Sequence, residues 1–406
     1  MTSIPLVTPA ADETYEYCVV EVPAELEAHF EKGDTSLLFN GRLSDEATLV
    51  TQDATYAVRQ VSQSNSLLLC ALEDNPQADG VHLRMRQNAT DLLELVRTTP
   101  RLDRLPSLFE ADAYTGQATE SDEARHYTPA EVRSVVQASE SELEVGLREH
   151  HILVLDGYLR RVAPSFLQEI LLSLLAHLDI LACAPDRVPW EAMCDALTTR
   201  AHRHVVEAVL GDWFCAAPLS MPRPTHIPLA RADIVQFLGL QLLQSHKRMP
   251  LLDFIAAWKS HVGTLAADVH LSLLQGHYLL YPPPATMATV STHAAVSAEP
   301  QAHTLAAPIA IQSFSHTSLP LMPAQRCQEL FTMREQWVRE EITPFLAPIA
   351  SRGNATVESM LLKYGRGVRA KWSKMHTQVL LHGALDQDPT RGTDECMLYQ
   401  ARVKYT

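Results

Sequence analysis

The chain has 406 residues (45.1 kDa), 46% of them hydrophobic, enough apolar material for two to four domains with buried cores. Its formal charge of −15 is uneven: residues 1–150 carry 27 acids against 11 bases, and the rest of the chain sits near neutrality at +1. Phosphate is repelled by such an acidic front, so nucleic-acid contact is expected only towards the back.

No run of about eighteen apolar residues occurs, so no membrane span is expected. The opening MTSIPLVTPAADETYEY lacks a basic region followed by an apolar stretch and is not expected to be a secretory signal. Seven cysteines (Cys18, Cys70, Cys183, Cys194, Cys215, Cys327, Cys396) are scattered, odd in number and without a CxxC pair. That usage predicts reduced, buried thiols and neither a disulfide framework nor a zinc site.

From 16 to 72 the runs YCVVEV, SLLFNG, ATLVTQ, ATYAVRQV and SNSLLLCAL alternate with turn signals such as Lys32-Gly33-Asp34 and Asn40-Gly41. Strands at this spacing predict a barrel or sandwich, too short to close by itself. RLDRLPSLFE then reads as a short helix and DAYTGQATESDEARHY as a polar connector. Thr128-Pro129-Ala130-Glu131 and Ser139-Glu140-Ser141-Glu142 are stacked helix starts, each with a capping hydroxyl and an acid three residues on. ILVLDGYLRRV places two apolar strands around Asp156-Gly157, a strong hairpin signal. Helix, helix, helix, hairpin is the order of a winged helix, with a long apolar helix over 164–182 behind it.

A second such unit is expected over 225–320. Helices are predicted at 229–245 and in MPLLDFIAAW, where Leu251, Phe254, Ile255 and Trp258 share one face, with a third helix at 264–274. HYLLY and IAIQSF would be its wing strands. Between them, residues 282–307 are low in charge and rich in Pro, Ala, Ser and Thr, which predicts a disordered insertion. The third unit has helices expected at 326–338 and 341–350, irregular at Pro348. A helix capped by Asn354 comes next, burying Val357, Met360, Leu361 and Tyr364, and CMLYQARV would be the last wing strand.

Lys363, Arg366, Arg369, Lys371 and Lys374 form a basic run with no acid between Leu361 and Leu385. It leaves the end of a recognition-type helix and enters a wing, the two places where winged helices touch DNA. Lys and Arg there would neutralise phosphates with little sequence preference, and Tyr364 or Trp372 could stack on a base or simply pack. A solvated basic face is the plainer alternative. His202-Arg203-His204 has no third ligand placed by spacing, so no metal is expected. His150-His151 closes a helix, where positive charge is favourable. Nucleotide-binding, hydrolase, zinc-protease and deaminase motifs are absent, so neither catalytic residues nor a cofactor are expected.

FTMREQWVREEITPFLAPI followed by ATVESMLLKY resembles the C-terminal signature of the sister chromatid cohesion DCC family. That signature has an aromatic, R-E-x-W, an acidic pair before aliphatic-x-P-aromatic, and a helix ending L-L-x-K-Y. Here the matching positions are Phe331, Arg334, Glu335, Trp337, Glu340, Glu341, Ile342, Pro344, Phe345, Leu361, Leu362, Lys363 and Tyr364, with L-L-K-Y one residue shorter. TYAVRQVSQSNSLLL resembles the family's front strand, and YTPAEVRSVVQASESELEVGL with DGYLRRV resembles its first winged helix.

The resemblance implies an α+β architecture: an N-terminal partial β-barrel completed by partner chains, followed by three winged-helix domains. The expected bounds are 1–97, 98–224, 225–320 and 321–406. It further implies a nuclear, non-catalytic subunit of the alternative, cohesion-linked replication factor C clamp loader. Partners would be that module's large and small subunits, the catalytic subunit of DNA polymerase epsilon, and single- and double-stranded DNA. Tyr56, Val58, Leu67, Leu68 and Leu69 are the expected partner-binding residues, and Lys363, Arg366, Arg369, Lys371 and Lys374 the expected DNA-binding ones. A freestanding winged-helix regulator of DNA remains the alternative.

Overall fold

The β-rich front folds as one open sheet. Its strands are β1 (Leu6–Val7), β2 (Val19–Glu21), β3 (Leu38–Asn40), β4 (Thr48–Val50), β5 (Thr55–Asp74) and β6 (Val81–Arg97), with helix α1 (Ala24–Glu31) between β2 and β3. β3, β4, β5 and β6 run antiparallel in that order, and β1 and β2 pair in parallel with the far side of β6. The described strands form no closed barrel. Two of the expected short strands are one: β5 is 20 residues long. The polar interval SQSN lies inside it, at a register shift between Ser62 and Leu67, because β6 supplies backbone partners on both sides of the irregularity.

This computed structural model describes residues 6–7, 17–31, 37–42, 45–74, 81–116, 126–217, 223–284, 289–290, 309–350, 356–373 and 393–402. It divides into two units. The first is Met1–Leu102 with Ala130–Val145; the second is Asp103–Pro129 with Gly146–Thr406. In the first, Leu26, Leu49, Ala54, Tyr56 and Leu95 form a small buried cluster, with Val20, Leu37 and Val58 packed against it.

The rest of the chain is built on one recurring order: a helix, a short strand, two helical segments, then a hairpin whose last strand returns beside the first. It begins with α2 (Leu105–Leu108), α3 (Pro129–Val135), α4 (Glu140–Glu149), β7 (Ile152–Leu155) and β8 (Tyr158–Arg161), where Tyr127 bridges Leu159 of the returning strand. The hairpin turns at Asp156 (φ 52°) and Gly157 (φ 87°), both left-handed as a two-residue turn requires. Ser139 and Glu142 make the reciprocal cap expected of them: Glu142 N donates to Ser139 Oγ (3.3 Å) and Ser139 N to Glu142 Oε2 (3.0 Å). Within the first unit, Thr55 Oγ1 also donates to Glu142 Oε2 (2.6 Å), so the cap ties the segment to β5.

The order recurs in α5 (Pro164–Ile180), β9 (Val188–Pro189), α6 (Trp190–Thr198), α7 (Arg203–Ala208) continuing as a π-helical turn Val209–Trp213, and β10 (His226–Ile227), which pairs with β9, with a single bridge from Cys215 to Leu229 where the other runs have a hairpin. The helix expected to back the first winged helix therefore opens a repeat of its own, and residues 98–224 hold two runs of the order. The next run is α8 (Arg231–Ser245), β11 (Arg248–Pro250), α9 (Leu251–Val262), 3-10 turns at Gly263–Asp268 and Leu271–Leu274, β12 (Tyr278–Tyr281) and, beyond a two-residue strand β13 (Thr289–Val290), β14 (Ala310–Ser313). β14 lies between β11 and β12. The third helix expected here is two 3-10 pieces, since Gly263 at φ 52° ends α9. Leu251, Phe254 and Trp258 are buried as expected, and Ile255 partly so. Most of the expected disordered insertion, 285–288 and 291–307, lies outside the described residues; β13 pairs with the last sheet.

The last run is α10 (Pro323–Met333), β15 (Gln336–Val338), α11 (Arg339–Ala350), α12 (Val357–Tyr364), β16 (Gly365–Ser373) and β17 (Thr393–Ala401), with β17 between β15 and β16. The helix expected to reach Val338 stops at Met333, and residues 336–338 pair with β17 instead. α11 runs through both Pro344 and Pro348 without ending, held by its buried face Ile342, Phe345, Leu346 and Ile349. The cap of α12 is Thr356, whose Oγ1 accepts from Ser359 N (3.1 Å); Asn354 lies outside the described residues. One core extends from Tyr114 to Leu398, and a second gathers Leu279 with the helices and Trp337 of the last repeat. No described helix is long and apolar enough to cross a membrane.

Candidate functional site

Strand alternation decides which of the basic residues can act together. Lys363 ends α12, exposed, with its ammonium 5.3 Å from the Tyr364 ring. Arg366, Arg369 and Lys371 are all exposed on β16. Arg366 pairs in register with Gln400, on the face that buries Ala370, whereas Arg369 and Lys371 share the opposite face with Met397 and Glu395. The run is therefore split between two sides of the hairpin, and Lys371 stands directly across from an acid. Lys374 lies outside the described residues.

Arg402 joins the cluster from 38 positions further along. Its backbone N donates to Tyr364 O (3.0 Å) and its Nη1 to Leu362 O (3.0 Å), closing the end of α12 beside Lys363. The helix end gains a cation where its exposed carbonyls carry partial negative charge. Sequence reasoning missed it, because only the β16–β17 pairing brings residue 402 back to 364. Tyr364 itself is half-buried against the last repeat's core.

In the first unit, Tyr56 is only 4% exposed and belongs to the sheet's own core, with Val58 partly buried beside it. Those two serve the fold. Leu67, Leu68 and Leu69 are different: 44%, 42% and 37% exposed, on consecutive positions of β5 that face alternate sides. Every residue from Arg59 to Leu69 is exposed, and Leu72 is 64% exposed. At the sheet's edge, Leu38 and Phe39 of β3 are 55% and 60% exposed. A two-stranded ribbon with leucines uncovered on both faces is unusual for a free chain.

His202 is the N-cap of α7, its Nδ1 accepting from His204 N (3.3 Å), and the two rings are 5.0 Å apart. Among the described residues no three metal-ligating side chains gather. His151 is enclosed by Trp213, Phe214 and Phe237, and burial pulls its pKa down to about 4. Burial thus favours the neutral form of His151, the second of the two histidines at that helix end. Cys194, Cys327 and Cys396 are buried thiols pushed up to about 11 by desolvation. Cys215 is buried too, but Cys18 is exposed and Cys70 and Cys183 are half-buried, so the expected burial does not hold for every thiol.

The family model described as "Sister chromatid cohesion protein Dcc1" matches residues 17–346, which includes β2 to β6 of the front sheet and ends within α11, before the basic run. Proteins named "Sister chromatid cohesion protein DCC1" are similar over most of their length. That of Xenopus laevis is 25% identical over 362 residues, covering 86% of each chain. That of Mus musculus is 24% identical, covering 87% of this chain and 84% of its own. That of Homo sapiens is 23% identical, covering 86% and 85%.

Proposed function

This chain belongs to the Dcc1 family of sister chromatid cohesion proteins, and from that membership we propose that it acts in cohesion as a nuclear, non-catalytic adaptor of the alternative replication factor C clamp loader. The front sheet takes up strands of the loader module's large and small subunits. The observation that carries this is the ribbon of β5, where Leu67, Leu68 and Leu69 are exposed on both faces. Covering them would remove an apolar surface from water at roughly 25 cal/mol per Å², and the open edge at β3 offers unpaired backbone groups to an added strand.

The recurring repeats act as winged helices, the front ones meeting the catalytic subunit of DNA polymerase epsilon and the last meeting DNA. Elimination supports the last repeat as the nucleic-acid contact. In the first run the third helix, α4, is acidic. In the second, residues Val205, Val206 and Ala208 to Gly211 of that segment are buried. In the third it is two 3-10 turns, with Asp268 tied to Arg231 at 2.6 Å. Only α12 pairs an exposed outer face, with Leu362 70% exposed and Lys363 beside it, with a basic strand directly after it. Weak contacts of this kind raise the loader's effective concentration at DNA by multivalent attachment.

Charge reversal of Arg366, Arg369 and Lys371 tests the DNA half. Anisotropy titrations at two salt concentrations are expected to show weaker binding and a salt slope reduced by about one for each phosphate no longer neutralised. Unchanged titrations would remove DNA contact from this hairpin. Co-expression with the two loader subunits tests the assembly half: Leu67→Glu with Leu69→Glu is expected to abolish co-elution. A native chain that is monodisperse and stable alone, and binds DNA, would instead favour a freestanding regulator.

A further inference from the structure

The stretch by which the sequence resembles the family's C-terminal signature does not lie on the exposed basic hairpin. Arg334, Trp337 and Glu341 are buried, at 7%, 0% and 6% exposure. Arg334 donates through Nη1 to Glu341 Oε1, within the last repeat. Through Nη2 it donates to Leu280 O (2.8 Å), on the hairpin of the repeat before. Its guanidinium lies 4.9 Å from the Tyr281 ring and 5.1 Å from that of Trp337, and Arg248 approaches the same Tyr281 ring at 4.1 Å. A second buried arginine pins the connection between the two repeats. Arg326 donates to Pro320 O (2.7 Å), His316 O (3.0 Å), Leu319 O (3.1 Å) and, on α11, Phe345 O (2.6 Å).

The joint is incompletely satisfied. Arg334 Nε, Glu341 Oε2 and Glu340 Oε2 are buried with no hydrogen-bond partner among the described residues. Glu341 also lines a small cavity with Gln275, Gly276 and Tyr278 of the preceding repeat. Burial outweighs the attraction of Arg334 on this carboxyl, which is pushed up to about 7. A buried ion pair with spare lone pairs and donors is a poor source of stability, and packed apolar side chains of similar volume commonly do better. What it supplies is direction, since a planar guanidinium between two rings with two oriented acceptors permits few arrangements.

We propose that Arg334 and Glu341 form a positioning latch that fixes the last repeat at one orientation on the hairpin of the third, at a cost in stability. The latch stands on the joint's own geometry. Its consequence, a fixed direction for the basic hairpin, rests on the nucleic-acid contact proposed above.

The test is a double-mutant cycle in the full chain: Arg334→Met, Glu341→Leu and both together. Each is read by melting temperature and by the distance distribution between spin labels at Lys259→Cys and Leu362→Cys, two exposed positions, with the exposed Cys18 replaced by Ser. Each single change leaves a buried polar group without its partner and lowers the melting temperature. The double variant is expected to recover the native melting temperature or exceed it while its distance distribution broadens. A double variant as unstable as the worse single, or one whose distribution stays as narrow as the native, overturns the latch. Glu358→Ala, which breaks the exposed Arg339–Glu358 pair, should leave both readouts unchanged. Native protein that fails to bind DNA would remove the nucleic-acid consequence and leave the latch standing on its distances.

Discussion

At Glu341 the physics of a single carboxyl shapes the behaviour of the last repeat. Its pKa lies near 7 because burial penalises the ion more than Arg334 favours it. The folded protein thus holds this proton more tightly than the unfolded chain does. The resulting stabilisation is full below the usual carboxylate range and is lost as pH rises through about 7. Thermal melts from about pH 4 to about pH 8 are expected to show that decline, and Glu341→Gln should flatten it. A wild type and variant with parallel pH profiles would show that Glu341 does not titrate in this range. Ser139 gives a simpler case, since its Oγ caps α4 as its sequence pattern announces. Ser139→Ala is expected to cost about 1 kcal/mol in denaturant unfolding, with no cost expected if the cap is replaced by water.

Elements were readable where their determinants are local. The Asp156-Gly157 hairpin, the capping box at Ser139 and the buried face of α9 all arise from turn chemistry or spacing within a few residues. Elements held by distant partners were not. β15 is a three-residue strand that exists because β17 lies beside it, and its residues read equally well as the end of a helix. β5 continues through SQSN because β6 runs along it. The basic run was legible as charge, but not as geometry: its division between two faces depends on the β16–β17 register, and Arg402 enters only through that pairing. Tyr56 and Val58 matched the family's front strand as well as the leucines did. Which of them turn inward is fixed by contacts with Leu26, Leu49 and Leu95.

On the scale of the whole molecule, the acidic charge of residues 1–150 and the exposed apolar ribbon share the front of the sequence, and the basic hairpin closes its other end. That division suits the adaptor proposed above, in which the front of the sequence assembles with partners and the back meets nucleic acid. The number of repeats was the least readable feature, since α5 looks like a plain apolar helix until the pairing of β9 with β10 marks it as the start of a repeat. Hydrogen exchange along β5 tests the central claim most directly, comparing the free chain with the chain co-purified with the loader module's large and small subunits. The account predicts that amides from Ser62 to Leu72 exchange faster in the free chain than in the complex, most of all those turned away from β6. Amides whose exchange the partners leave unchanged would contradict it.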